Sequence, residues 1–150
     1  MATVTLTGDK EIRKALKELP DRSRVRVLVK ANGVIMRKAL RIAKRLVPVD
    51  QGLLKKSLGV KTYKDGKKGA VSTTVGARKG FREVVEVDGK RRVRDPQKYA
   101  HLVEFGTQRT AARPFLRPAL QAIEGDIDGE YAALVFAGIE AEWDKIKALG

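Results

Sequence analysis

The sequence predicts an α+β fold, with helices at both ends and a small antiparallel β region between them. Three observations carry that prediction. Apolar residues recur every three to four positions before Pro48 and alternate after it. Asp-Gly pairs at 65–66 and 88–89 interrupt runs of β character, as hairpin turns do. Helical spacing then returns from Pro114 to the end of the chain. A length of 150 residues suits one domain, and a domain of that size buries roughly two-thirds of the surface of its unfolded chain.

Residues 1–7 alternate weakly and read as a short strand or an extended lead-in. Thr7 to Asp9 offer an N-cap, and Ile12, Leu16 and Leu19 follow at helical spacing until Pro20 ends that helix. Asp21 and Ser23 cap a longer helix from about Arg22 to Leu46. Its expected apolar stripe runs through Val25, Leu28, Val29, Ile35, Met36, Ala39, Ile42, Ala43 and Leu46, broken only by Asn32. Gly33 costs about 1 kcal/mol relative to Ala inside a helix, so a kink or a close approach is expected there. Pro48 pushes its predecessor out of the helical region and stops the helix. Asp50 is then placed to cap a short turn through Gly52, Leu53 and Leu54.

Two β runs follow, Leu58 to Tyr63 and Ala70 to Gly76, and then a second hairpin from Phe81 to Val87 and Lys90 to Arg94. The sheet of residues 57–95 is expected to pack on the helix of residues 22–46. Residues 77–96 read as an arm with too few apolar residues to stand alone, mobile in a free subunit and ordered against a neighbour. The run Tyr99, Ala100, Leu102, Val103 and Phe105 ends at Gly106-Thr107. Pro114 and Pro118 read as helix-opening residues, with Phe115 and Leu116 docking that helix on a core. One helix or two, divided at Gly125, complete the chain. Tyr131, Leu134, Val135, Ile139, Trp143 and Ile146 form the last apolar stripe.

Composition narrows the functional classes. No apolar run approaches the roughly 20 residues that span a bilayer, so no membrane partner is expected, and the N-terminus lacks a signal-peptide core. Zero cysteines remove disulfides, thiolate nucleophiles and Cys-based zinc sites, and fit a protein made in the cytosol. The net charge of +14 is unevenly spread: +13 over residues 1–69, +6 over 70–120 and −5 over 121–150. A basic front and an acidic rear suit head-to-tail association as well as they suit DNA.

The residues of chemistry form no constellation. His101 and Glu104 stand three apart, but a metal needs three or four ligands and no second His or any Cys exists. Glu104 is expected to pair with an arginine of its own subunit or the next. Nothing in the sequence joins Asp50 to Glu104 for acid–base work, and Gly76 to Gly80 lacks a phosphate-loop pattern. No catalytic, metal or cofactor residues are assigned and no enzyme is expected. The clusters Lys55-Lys56, Lys67-Lys68 and Arg91-Arg92-Arg94 offer phosphate contacts, but of the exposed aromatics that base stacking needs only Tyr63 and Phe81 lie near them, and both also read as core residues.

Two blocks carry a family resemblance. The first is Pro48, Val49, Asp50, Gly52, Leu54 and Ser57 behind a basic amphipathic helix. The second is Tyr99, Ala100, Val103, Glu104, Phe105, Gly106 and Thr107, followed by Pro114, Phe115, Leu116, Pro118 and Ala119. With a β-rich stretch between them, the chain resembles the small tail-completion proteins of long-tailed phages, the gene-product-ten-like proteins of lambda-like viruses. The Arg-rich arm and Gln51, where a small residue is expected, depart from that pattern. The resemblance implies a non-enzymatic neck protein of the virion at the head–tail junction, assembled in the host cytoplasm. It further implies a ring of six or twelve copies, meeting the tail tube or terminator on one side and head-connector proteins on the other, with DNA passing through its bore. From charge, the acidic patch around Glu124, Asp126, Asp128, Glu130, Glu140, Glu142 and Asp144 and the basic surface of residues 10–68 are the expected subunit contacts, with Glu140, Glu142 and Asp144 the charges to reverse. The arm residues Arg91, Arg92 and Arg94 join that set as interface candidates. The competing reading is a basic nucleic-acid-binding protein acting as a monomer or dimer.

Overall fold

A computed structural model describes residues 9–50, 52–65 and 69–150, apart from the side chains of Asp9 and Asp126. The described elements are α1 (Asp9–Glu18), α2 (Asp21–Leu46), α3 (Leu53–Ser57), β1 (Leu58–Asp65), β2 (Ala70–Ala77), β3 (Glu83–Val87), β4 (Lys90–Arg94), α4 (Pro96–Phe105) and α5 (Leu116–Leu149). The fold is α+β, as the change of hydrophobic period requires. The four strands divide into two separate two-stranded antiparallel ladders, β1–β2 and β3–β4, instead of joining in one sheet. The lead-in at residues 1–7, and the Gly66-Lys67-Lys68 part of the first turn, lie outside the described residues.

The described chain gathers into two compact units, each with its own apolar cluster. One holds residues 9–37, the far ends of β1 and β2, and residues 123–150. Its cluster is Ile12 and Leu19 of α1 (Leu19 lying just past the helix end), Val27 and Ala31 of α2, and Val135 and Ile139 of α5. Asn32, the polar break in the expected stripe, receives a 2.7 Å hydrogen bond from the Tyr131 hydroxyl. Burial raises the Tyr131 pKa above its ordinary value. Gly138 admits a close approach: a Cβ there would stand 2.9 Å from Val27 Cγ1.

The second unit holds residues 38–61 and 74–122. Ala43 and Val47, Leu54 and Leu58, Ala100, and Phe115 and Ala119 form its cluster, with Tyr99 and Leu116 packed against it. Phe115, expected to dock the last helix, is wholly buried.

Helix α2 ends at Leu46 as Pro48 demands, but its buried line differs from the expected stripe. Ser23, Val27, Ala31, Ile35, Ala39, Ala43 and Val47 are buried at strict four-residue spacing, whereas Leu46 is exposed and Val25 and Leu28 are only half-buried. Small residues on that line let other elements approach closely, which reading by hydrophobicity alone undervalues. Gly33 makes no kink, since the helix is continuous through it, but it is buried and closely packed: a Cβ there would stand 3.1 Å from Arg37 Nη1. Helix α5 is likewise continuous over 34 residues, so Gly125 divides nothing.

Candidate functional site

The segment from Tyr99 to Ala119 is organised around one buried carboxylate. Pro96 opens α4 in the first turn, where its missing N–H costs no hydrogen bond, and α4 places Glu104 on its buried side. Glu104 Oε2 accepts hydrogen bonds from the backbone N–H groups of Phe115 (2.8 Å) and Leu116 (3.0 Å), and Oε1 accepts from Arg117 (2.9 Å). A helix leaves its first four N–H groups without internal partners. In α5 three of those four are taken by Glu104, and the fourth position is Pro118, which has no N–H to satisfy. The expected pairing of Glu104 with an arginine is therefore corrected. Its two oxygens go to the start of α5, where the helix dipole also favours a negative charge.

Gly106 closes the other side of this lock. Its φ of +75° is strained for any L side chain, and a Cβ would stand 2.7 Å from the Ala112 nitrogen and 2.9 Å from the Thr110 carbonyl. Thr107 builds the turn: its hydroxyl accepts from the N–H groups of Arg109 (3.2 Å) and Thr110 (3.0 Å). The Arg113 N–H returns to the Val103 carbonyl at 2.8 Å. Every residue from Thr107 to Pro114 is exposed, so this is a surface loop held by its own hydrogen bonds. Phe105 takes no part in the core: it is 67% exposed, with the Arg117 guanidinium 6.0 Å from its ring centre.

In the first block, Leu54 is buried in the core, Pro48 is half-buried and Val49 is exposed. Asp50 does not cap α3. The N-cap is Gly52, in the left-handed conformation at φ +73°, without a side-chain cap bond. Asp50 is exposed; burial raises the Tyr99 pKa, Arg94 opposes that rise, and the charges of Asp50 and Asp95 add to it. Ser57 is fully buried and donates to the Leu54 carbonyl at 2.7 Å. Arg78, which sequence reasoning left unassigned, holds the end of α3 through Nε to the Ser57 carbonyl (3.2 Å) and Nη2 to the Lys56 carbonyl (2.9 Å).

The arm is a regular hairpin. Glu83 faces Arg94, Val84 faces Val93, Val85 faces Arg92 and Glu86 faces Arg91. Asp88 (φ +52°) and Gly89 (φ +71°) make the turn, whose two positive φ values match the twist of the strands. Phe81 and Arg82 fall before β3, so the first strand is shorter than expected. All of β4 is exposed, including Arg91, Arg92 and Arg94. Salt bridges from Lys56 to Glu83 (3.9 Å) and from Arg82 to Asp95 (3.4 Å) tie the base of the hairpin.

The acidic patch loses Glu142, one of the three residues marked for charge reversal. Glu140 and Asp144 are exposed, but the Glu142 side chain is only 5% exposed. Its carboxylate accepts from Arg26 Nε (3.2 Å) and Nη2 (2.7 Å) and from Lys145 Nζ (3.0 Å). Those bonds lower its pKa to about 2. The residue carries the internal structure of its own subunit and is withdrawn from the surface set. No group of His, Asp or Glu among the described residues could hold a metal ion, and no described helix is long and apolar enough to cross a membrane.

Residues 10–106 match the family described as "Bacteriophage HK97-gp10, putative tail-component". The matched span takes in the first motif block and the second as far as Gly106; the α5 start that Glu104 caps lies beyond it. No curated protein and no solved structure matches the chain. A match over more than half of the sequence, on a fold whose motif residues serve as cap, turn and core, places the chain in the HK97-gp10-like family of bacteriophage tail components.

Proposed function

We propose that this tail component is a neck protein, completing the tail tube and joining it to the filled head. The observation that carries the reading is the family match over residues 10–106, joined to a hydrogen-bonded loop at 107–114 whose residues are all exposed. The mechanism is geometric and involves no covalent chemistry. Subunits close a ring of six or twelve copies, its faces fit the tail and the head connector, and the genome passes through the bore. The uneven charge, +13 at the front and −5 at the rear, supports heterologous contacts between copies. Electron microscopy of the purified protein mixed with tails and DNA-filled heads tests this directly. Rings at the junction and a rise in joined particles are expected; protein that attaches to neither particle would refute the reading.

One observation favours a second reading. Lys90, Arg91, Arg92 and Arg94 all lie on a wholly exposed strand, which suits contact with phosphates. A DNA complex whose affinity falls steeply with salt, formed without rings or particle attachment, would favour a nucleic-acid-binding protein instead.

A further inference from the structure

The loop after α4 carries a surface that the core does not explain. Leu102 (43% exposed) and Phe105 (67% exposed) share one side of α4, and Arg117 lies over the Phe105 ring. Arg109 and Arg113 stand on the same loop, and the backbone N–H of each is hydrogen-bonded. From Phe105 to Arg117 there are three arginines and no acid, and no ion pair among the described residues uses those arginines. Exposed aromatic and arginine side chains on a preorganised frame are the composition of interface hot spots.

The chain itself offers a complementary surface. On α5, Gly125, Gly129, Ala133 and Ala137 are all exposed at four-residue spacing, a stripe about 18 Å long. Open space surrounds the Cβ positions of both glycines. Phe136 is 43% exposed beside that stripe, and the exposed carboxylates of Glu124, Asp128, Glu140 and Asp144 flank it at either end. Such a face admits an aromatic ring against nearly bare backbone and sets carboxylates within reach of arginines on both sides.

We infer that the Phe105–Arg117 shelf of one copy docks on this acidic, small-residue face of α5 in a second copy. The inference rests on the ring reading above and names its contact. DNA fits the shelf less well, because the exposed apolar side chain of Leu102 offers a phosphate backbone nothing. The contact joins two different patches, so it repeats head to tail and closes a ring when the rotation allows.

The absence of cysteine makes the test clean. A Gln108→Cys and Ala133→Cys protein, incubated with purified tails and a short bis-maleimide, should give a ladder of covalent multimers. In that background Phe105→Ala, or Arg109→Glu with Arg113→Glu, should reduce the cross-linked yield about tenfold or more. Adding Glu140→Lys and Asp144→Lys to the arginine reversals should restore it, which a merely misfolded variant could not do. Rings on tails without the ladder would overturn the inference and leave the neck reading standing. A ladder without attachment to tails or heads would support the contact and refute the neck reading. A DNA complex abolished by Arg109→Glu with Arg113→Glu, and no ladder, would make DNA the occupant and overturn the inference.

Discussion

Replacing Glu104 should unlock the start of α5, and the three amides it accepts set the size of the effect. Charge-assisted hydrogen bonds contribute about 1.5–3 kcal/mol each, so simple addition over three gives roughly 4.5–9 kcal/mol. Single exposed caps removed by mutation cost only about 0.5–2 kcal/mol. The lock lies between those limits, because the Phe115 amide is buried while those of Leu116 and Arg117 are partly so and regain some water. Glu104→Ala should therefore cost about 3–4 kcal/mol, near 10 °C in melting temperature for a chain of this size. Glu104→Gln is the sharper test. Its single carbonyl oxygen can still serve Phe115 and Leu116, but its amide would point a donor at the Arg117 N–H. It should lose one bond and the favourable charge at the helix N-terminus, about 1–2 kcal/mol. Urea unfolding of the three proteins at neutral pH measures both. Equal losses for Gln and Ala, or losses below about 0.5 kcal/mol, would refute the capping account.

Four more outcomes follow from the same structure. Glu142 has a folded pKa of about 2 against an ordinary 4.5, so the stability it contributes is fully present above about pH 5 and is lost as pH falls toward 2; the urea midpoints of wild type and Glu142→Gln should converge over that window. Tyr131→Phe leaves the half-buried Asn32 oxygen without its donor and should cost about 1–2 kcal/mol, read as a lower melting temperature. Gly129→Ala, in open space, should stabilise the free subunit by about 0.5–1 kcal/mol, whereas Gly138→Ala should destabilise it by pressing on buried Val27, and Val27→Ala in the same chain should relieve that contact. Amide exchange in β3 and β4 should be fast in the free protein and slower in protein bound to tails, because Val84 and Val93 face each other with 58% and 66% of their surface exposed; equal protection in both states would count against the arm contacting a neighbour.

What the sequence determined by itself was set by short-range sterics. Pro20 and Pro48 bound the first two helices, Asp88-Gly89 turns the second hairpin, Phe115 seats the last helix, and the Tyr131–Ile146 stripe marks its buried side. Each follows from restricted φ, positive φ or apolar spacing within a few residues. Only the tertiary structure decided the pairings. Glu104 meets amides 11 to 13 residues away, Asn32 meets Tyr131 across 99 residues, and Glu142 meets Arg26 across 116. None of these has a local signature, so Glu104 read as an ion-pair residue and Glu142 as a surface charge. The continuity of α5 also lay beyond local reasoning. Gly125 and Gly129 each cost about 1 kcal/mol of helix propensity, and packing of Phe115 and Ala119 before them and of Val135 and Ile139 after them outweighs that cost. Burial selects which face of a helix turns inward, and that choice depends on elements far away in the chain.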